Sequence, residues 1–156
     1  MSAWAALSAV EEDATWNQFC SRFAFRASVR PEEWPGIREP APFVTWAIPD
    51  PWSEAATEDL HERALSAFRI AVPPGERMLA LDWQHPCWWL SPHASVDHWE
   101  VPVLPNGDYF VFLSRDLEWG WFGHPWEQTI CVFGAPLLAA LAQNLPAIFS
   151  RVLRQG

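Results

Sequence analysis

The sequence predicts an α+β fold. It favours a single globular domain over residues 1–156, with a mainly antiparallel sheet of about five or six strands and three helices packed on one face of it. Three observations lead to this prediction. Six short segments alternate between apolar and polar residues, and three longer segments carry apolar stripes at helical spacing. The strand segments also follow one another instead of alternating with helices.

Three segments have the features of helices. They lie near residues 9–23, 54–69 and 136–153. Ser8 and Glu11 form a capping box at the start of the first, since the serine oxygen and the glutamate carboxylate each accept a hydrogen bond from a free backbone amide. Pro146 is expected to kink or split the third, because proline lacks the amide that a helix interior needs.

Six segments have the features of strands. They lie at residues 43–48, 78–83, 87–91, 99–104, 108–113 and 128–133. Asn106-Gly107 predicts a tight hairpin, because both central positions of a type I′ turn need positive φ. Pro102 and Pro105 restrict the segment before this turn to an edge strand, since proline cannot donate to a neighbouring strand.

The charge of the chain excludes one class of partner. The formal net charge is −9, the sequence contains no lysine, and all ten basic residues are arginine. Nucleic-acid binding depends on clustered basic side chains, so we expect no nucleic-acid partner. An acidic surface suits a basic protein partner, or simply keeps the protein soluble.

Location and cofactors follow from what the sequence lacks. The most apolar run, residues 130–141, is shorter than the ~20 residues of a membrane span, so no membrane association is expected. The N-terminal residues contain no basic leader, which argues against secretion. Cys20, Cys87 and Cys131 are widely spaced and form neither a disulfide framework nor a zinc knuckle. We therefore expect a cytoplasmic protein without a cofactor.

The stretch FGHPWEQTICVFG, residues 122–134, is the first candidate for a site. His124 precedes a proline, which holds its backbone extended, and Glu127 follows three residues later. A second His-Pro pair begins at His85, with Asp82 three residues before it. If the strands that end at these two His-Pro pairs are neighbours, four side chains come together in one cluster, framed by Trp83 and Trp126. The four are Asp82, His85, His124 and Glu127.

This cluster leaves three alternatives open. Imidazole titrates near neutral pH and a carboxylate can orient it, which suits acid–base catalysis. Two imidazoles and two carboxylates are also metal ligands, although we expect no metal because the cysteines lack ligand spacing and the histidines are scattered. The third alternative is structural, with each histidine donating to a backbone carbonyl. No HExxH, GxSxG, GxGxxG or phosphate-loop pattern is present, so no reaction class is indicated.

Twelve tryptophans in so short a chain are the second candidate for a site. Trp119, Trp121 and Trp126 surround a glycine-bearing loop and are difficult to bury together. They predict either a recognition surface or a lid over the end of the core.

Three motifs resemble a known family. They are WPGIREPAPFVTW at residues 34–46, LDWQHP at 81–86 and PNGDYFVFLSRDLEWGWFGHPWEQTICVFG at 105–134. Together they are similar to domain of unknown function 2716, a family of small bacterial proteins. The resemblance implies a single-domain bacterial protein and supplies no catalytic residue or cofactor. The position after LDWQHP is hydrophobic in that family and is Trp88-Trp89 here, which marks a specialised pocket.

Two hypotheses for function remain open. The first is a binding protein that recognises a protein partner or small ligand, with neutralisation of a basic partner as one such role. Its predicted binding residues are Trp83, Trp89, Trp119, Trp121 and Trp126. The second is a small metabolite-processing enzyme with His124 and Glu127 as its acid–base pair. A deep pocket holding both histidines favours the enzyme, and a flat tryptophan patch ringed by acids favours the protein partner.

Overall fold

The computed structural model describes residues 2–50 and 52–156. These residues contain three α-helices, eight strands and a short 3₁₀ helix at Pro31–Glu33. The helices are α1 (Ala9–Phe23), α2 (Glu54–Ala71) and α3 (Ala135–Ala142). The strands are β1 (Trp4–Ala6), β2 (Phe43–Ala47), β3 (Met78–Asp82), β4 (Trp88–Leu90), β5 (Phe110–Leu113), β6 (Gly120–His124), β7 (Thr129–Phe133) and β8 (Arg151–Gln155).

All eight strands belong to one sheet, in the order β1-β4-β3-β5-β6-β7-β2-β8, and every adjacent pair is antiparallel. The predicted α+β class, with three helices and an antiparallel sheet, is therefore confirmed. The sheet has eight strands in the described residues where the sequence predicted five or six.

One face of the sheet carries α2 and α3. The buried side of α2 includes Phe68, whose ring lies 5.3 Å from Phe112 of β5 and 6.0 Å from Trp121 of β6. From α3, Leu137 and Leu141 join the same core cluster. Burying one large apolar side chain of this kind contributes about 1.5–3 kcal/mol, so this layer is a major part of the stability.

The opposite face carries α1. Phe19 lies 6.2 Å from Phe122 of β6, and Phe23 lies 5.1 Å from Phe133 of β7. The prediction that all helices pack on one face is therefore wrong. The reason is visible in the central strands, since every residue of β3, β5 and β7 is buried, and strands covered on both faces are apolar on both.

Two predicted elements differ in the structure. Residues 99–104 form a loop, because Pro102 and Pro105 provide no amide for a strand pair. The third helix ends at Ala142, before Pro146, and the chain continues into β8 instead of completing the helix to 153. There Arg151–Gln155 pairs with β2 at the edge of the sheet.

β6 lies in a segment expected to be a loop. Its glycines are close-packing positions: a Cβ on Gly120 would lie 2.6 Å from the Phe133 ring, and one on Gly123 would lie 3.0 Å from Pro105. Glycine is therefore needed here because neighbouring side chains occupy the space above the strand.

No helix within residues 2–50 and 52–156 is long and apolar enough to cross a membrane.

Candidate functional site

The residues predicted for the site lie at one end of the sheet but form separate groups. Asp82, Phe110 and Gly123 lie side by side in register on β3, β5 and β6. Both β3 and β6 pair with β5 and not with each other. The two His-Pro turns that follow them are therefore separated by the start of β5, where Asp108 and Tyr109 lie.

His124, the last residue of β6, lies wholly inside the protein. Its Nδ1 accepts hydrogen bonds from the backbone amides of Trp126 (3.2 Å) and Glu127 (3.0 Å). The Gln128 amide also donates to the His124 carbonyl oxygen (3.0 Å), which completes a turn over residues 124–128, called here the His124 turn. Because Nδ1 is an acceptor, the neutral ring carries its proton on Nε2, which is buried without a hydrogen-bond partner among the described residues.

Aromatic rings and a glycine enclose the imidazole of His124. The ring centroids of Tyr109 and Trp34 lie 4.9 and 5.4 Å away, both edge-on. A Cβ on Gly36, where φ is +83°, would lie 3.6 Å from Nε2 and only 2.9 Å from the Arg26 carbonyl oxygen. Burial lowers the pKa of His124 to about 4. The side chain is thus a neutral acceptor that organises the turn.

Glu127 is bound to an arginine from the far edge of the sheet. Arg154 of β8 donates from both Nη atoms to the two carboxylate oxygens of Glu127, each at 2.8 Å. Thr129 donates to the same carboxylate (2.7 Å), and Glu39 binds the other side of the guanidinium at 2.8 Å. Burial raises the pKa of Glu127, but the hydrogen bonds from Arg154 and Thr129 outweigh it and the net shift is downward. This carboxylate joins β8 to the sheet.

The structure therefore does not bring the four predicted acid–base residues together. His124 is buried and bonded within its own turn, and Glu127 is held by Arg154. Neither lines a cavity with Trp83, His85 and Trp126. The order of the strands in the sheet explains the separation, because β5 lies between β3 and β6, the strands that lead into the two His-Pro turns.

Asp82 and His85 do meet, and Asp108, which follows the Asn106-Gly107 turn, joins them. His85 Nδ1 lies 3.0 Å from Asp82 Oδ1 and 3.3 Å from Asp108 Oδ2. The two carboxylate side chains are 10% and 9% exposed, whereas the His85 side chain is 66% exposed. Asp108 Oδ2 is buried and has no hydrogen-bond partner of good geometry among the described residues. We call these three residues the Asp-His-Asp cluster.

Two pKa values are raised within the Asp-His-Asp cluster. Hydrogen bonding to Asp82 raises the pKa of His85. Burial, together with the neighbouring Asp82 carboxyl, raises the pKa of Asp108 to about 6. Sequence analysis did not include Asp108 in the site. Its position depends on the register of β3 with β5, which brings the start of β5 beside the turn after Asp82.

At the same end of the sheet, on the side away from the Asp-His-Asp cluster, Trp83 and Trp126 line a pocket of about 350 Å³. Trp83 is 41% and Trp126 48% exposed. The base includes Tyr109, whose hydroxyl accepts from the Ser28 amide (3.0 Å) and donates to the Ser28 carbonyl oxygen (3.2 Å). These bonds fix the loop that forms the pocket wall.

A second pocket of about 420 Å³ shares Trp83 and Ala27 with the first. Its other lining residues include Trp16 and Phe25. The two pockets form one open, mainly apolar depression. We call it the tryptophan groove and define it by Trp16, Phe25, Ala27, Trp83, Tyr109 and Trp126.

The remaining predicted binding residues lie elsewhere. Trp121 is fully buried, with its indole N–H donating to the Val103 carbonyl oxygen (3.2 Å), and Trp119 is 6% exposed. Both are core residues, which corrects their prediction as a recognition surface, because β6 turns them toward α2. Trp89 packs under the guanidinium of Arg77, 4.5 Å from the ring centre, outside the groove.

Fold and site together describe a small α+β domain with an eight-stranded antiparallel sheet. At one end this domain carries the tryptophan groove and the Asp-His-Asp cluster. The family model described as "Protein of unknown function (DUF2716)" matches residues 6–138, and the chain belongs to this family.

A Bacillus subtilis (strain 168) protein, described as "Uncharacterized protein YxiI", is similar along nearly its whole length. It is 33% identical over 162 residues, which cover 96% of this chain and 98% of that protein. No solved structure matches the chain.

Proposed function

We propose that this protein is a binding protein whose tryptophan groove recognises an extended, basic segment of a partner protein. One observation carries the proposal. All twelve tryptophans lie in the described part of the chain, and Trp83 (41%) and Trp126 (48%) are the two most exposed of them. Both line this groove. Exposed aromatic side chains gathered in one depression are typical of binding hot spots.

The shape of the groove favours an extended segment. Its two pockets adjoin at Trp83 and Ala27, so successive side chains of a bound peptide would find separate apolar sites. Tyr109 ties the Ser28 backbone, so one wall is already ordered before binding. A preformed surface loses less conformational entropy when a partner binds.

Charge favours a basic partner. The net charge of −9 attracts cations, and the faces of Trp83 and Trp126 can bind an ammonium or guanidinium group. Arg30 is the charged residue that lines the groove, and it is paired with Glu32 at 2.8 Å, so its charge is matched. Neutralisation of a basic partner is the function that this arrangement would serve.

The alternative is a small metabolite-processing enzyme with a histidine–carboxylate pair. His124 and Glu127 offer it little support, because both are occupied by structural hydrogen bonds. The observation in its favour is the pair of His85 and Asp82, in which a carboxylate orients an exposed imidazole. In this alternative His85, rather than Trp126, would be essential for function.

A cytoplasmic location forms part of the proposal. The three cysteines are unpaired, with Cys87 and Cys131 buried as free thiols. Free thiols suit a reducing compartment.

Two labelled short peptides test the groove directly. They share the same apolar residues, and one carries lysine and arginine where the other carries aspartate and glutamate. Fluorescence anisotropy should show binding of the basic peptide that weakens with salt. Trp126→Ala should weaken that binding about 30-fold, the ~2 kcal/mol of a hot spot.

Trp89→Ala is the matched control, since it removes an indole outside the groove and should leave the affinity unchanged. His85→Ala distinguishes the binding function from the enzyme alternative, because the peptide affinity of the groove should not depend on His85. Equal binding of the acidic and basic peptides, or equal losses in Trp126→Ala and Trp89→Ala, would contradict the proposal. A neutral small molecule that competes for the groove would instead favour a small-ligand site.

A further inference from the structure

The Asp-His-Asp cluster lies outside the tryptophan groove, since none of its three residues lines either pocket. We propose that this cluster binds a divalent transition-metal ion through His85 Nδ1 and one oxygen each of Asp82 and Asp108. The proposal is independent of the peptide-binding function. It departs from the expectation of no metal, which rested on the lack of ligand spacing among the cysteines and on the scattered histidines.

The distances within the cluster fit one ion. His85 Nδ1 lies 3.0 Å from Asp82 Oδ1 and 3.3 Å from Asp108 Oδ2, and the three ligand atoms all lie within 4.8 Å of one another. Ligands about 2.1 Å from a metal are separated by roughly 3.0 Å at octahedral and 3.4 Å at tetrahedral angles. An ion can therefore take the place of the Nδ1 proton with little movement of the side chains.

A buried carboxylate oxygen without a hydrogen-bond partner is a second observation that supports a cation site. The Asp108 side chain is 9% exposed, and its Oδ2 faces His85 without a hydrogen-bond partner of good geometry among the described residues. A buried carboxylate oxygen without a partner is costly. A metal ion would coordinate this oxygen and balance the negative charge of the two neighbouring carboxylates.

Backbone amides already orient both carboxylates. The Gln84 amide donates to Asp82 Oδ1 (3.2 Å), and the Tyr109 amide donates to Asp108 Oδ1 (2.8 Å). Second contacts of this kind hold ligands in place before the metal arrives. The third ligand, His85, is exposed, so the ion would keep coordination positions open to water or to another molecule.

The ligand set selects the class of metal. Imidazole suits zinc and iron, whereas carboxylates alone suit calcium and magnesium. One imidazole with two carboxylates therefore favours Zn²⁺ or Mn²⁺ over Ca²⁺ or Mg²⁺.

A second histidine with two acids provides a matched control. His98 contacts Asp97 through Nδ1 (2.7 Å) and Glu100 through Nε2 (3.0 Å). The two carboxylates contact different ring nitrogens. An ion bound to either nitrogen could therefore not bind both carboxylates as well. These residues have the composition of the proposed site without its geometry.

Calorimetric titration of the EDTA-treated full chain with zinc chloride, and separately with manganese, calcium and magnesium chlorides, tests the site. We expect one Zn²⁺ or Mn²⁺ per chain and much weaker binding of Ca²⁺ and Mg²⁺. Asp108→Asn should weaken the binding about 100-fold or more, since even loss of an outer contact costs 10–100-fold. His85→Ala should have the same effect, and because this side chain is exposed the substitution should leave folding intact.

Asp97→Asn and Cys20→Ser should bind as the parent chain does, because these exposed groups lie outside the cluster. The proposal is overturned if no metal binds, or if Asp108→Asn and His85→Ala both bind as tightly as the parent. Loss of binding in Asp97→Asn or Cys20→Ser alone would also overturn it, because the ion would then bind at another place.

Discussion

The two His-Pro turns at the end of the sheet have similar sequences and opposite chemistry. In the turn after β3, His85 is exposed and lies against two buried carboxylates, which raise its pKa. In the His124 turn, the imidazole is fully buried and accepts two amide hydrogen bonds, and burial lowers its pKa to about 4. Each histidine has a carboxylate three residues away, so the local pattern does not distinguish them.

The difference comes from what covers each turn. Residues from a distant loop, Trp34 and Gly36, lie over His124 and exclude water from it. No such cover excludes water from His85. A buried histidine serves the backbone, whereas an exposed histidine beside buried carboxylates remains available for a proton or a metal ion.

The largest contrast should appear in stability. His124→Ala leaves two partly buried amides without their acceptor and creates a cavity among aromatic rings, so we expect a loss of about 3 kcal/mol in the free energy of unfolding. His85→Ala should change it by less than about 0.5 kcal/mol, as is usual for exposed positions. Urea unfolding of both variants measures the difference. Similar losses in the two variants would contradict the assignment of His124 as scaffold and His85 as exposed site.

The second contrast is in the response to pH. The pKa of His124 in the folded protein, about 4, lies below its ordinary value of 6.5, so the unfolded chain takes up the proton first as pH falls. Its contribution is fully present above pH 6.5 and is lost between 6.5 and 4. Between pH 7 and 5 the loss is roughly 2 kcal/mol.

His124→Phe should remove this part of the pH dependence, which is measured by comparing urea unfolding of the variant and the parent at both pH values. The pH dependence of stability that His85 contributes has the opposite sign. Because its folded pKa is raised, its contribution is present below the ordinary value of 6.5 and is lost as pH rises through the folded pKa. An unchanged slope in His124→Phe would show that another group controls acid stability.

The sequence predicts α1, α2 and the central strands other than β6 well, because their patterns are local. The capping box at Ser8 is present, and α1 begins and ends where its apolar stripe predicts. The strands β1 and β8 were not predicted. They are short edge strands, and the exposed residues of Arg151–Gln155 show no burial pattern that reveals pairing with β2.

The site was only partly predictable, because its contacts cross the sheet. Asp82 and His85 are three residues apart, and their contact could be inferred. Asp108 joins them only through the register of β3 with β5, and Arg154 reaches Glu127 only because β8 lies beside β2. A single sequence contains no local signal for either contact.

The smallest contrast compares two carboxylates that bind arginine. Glu127 is 10% exposed and makes two hydrogen bonds with Arg154, which is itself 30% exposed. Glu32 pairs with Arg30 at 2.8 Å, but these side chains are 62% and 66% exposed.

Glu127→Gln should therefore cost about 1–2 kcal/mol, since it leaves a largely buried guanidinium without one of its two charged partners. Glu32→Gln should cost less than about 0.5 kcal/mol, as expected for a solvated ion pair. Thermal unfolding of both variants at neutral pH gives the comparison. Because Glu39 still binds Arg154, a loss in Glu127→Gln as small as that in Glu32→Gln would show that Glu39 alone is a sufficient partner for the Arg154 guanidinium. The carboxylate of the His124 turn would then be free for another role.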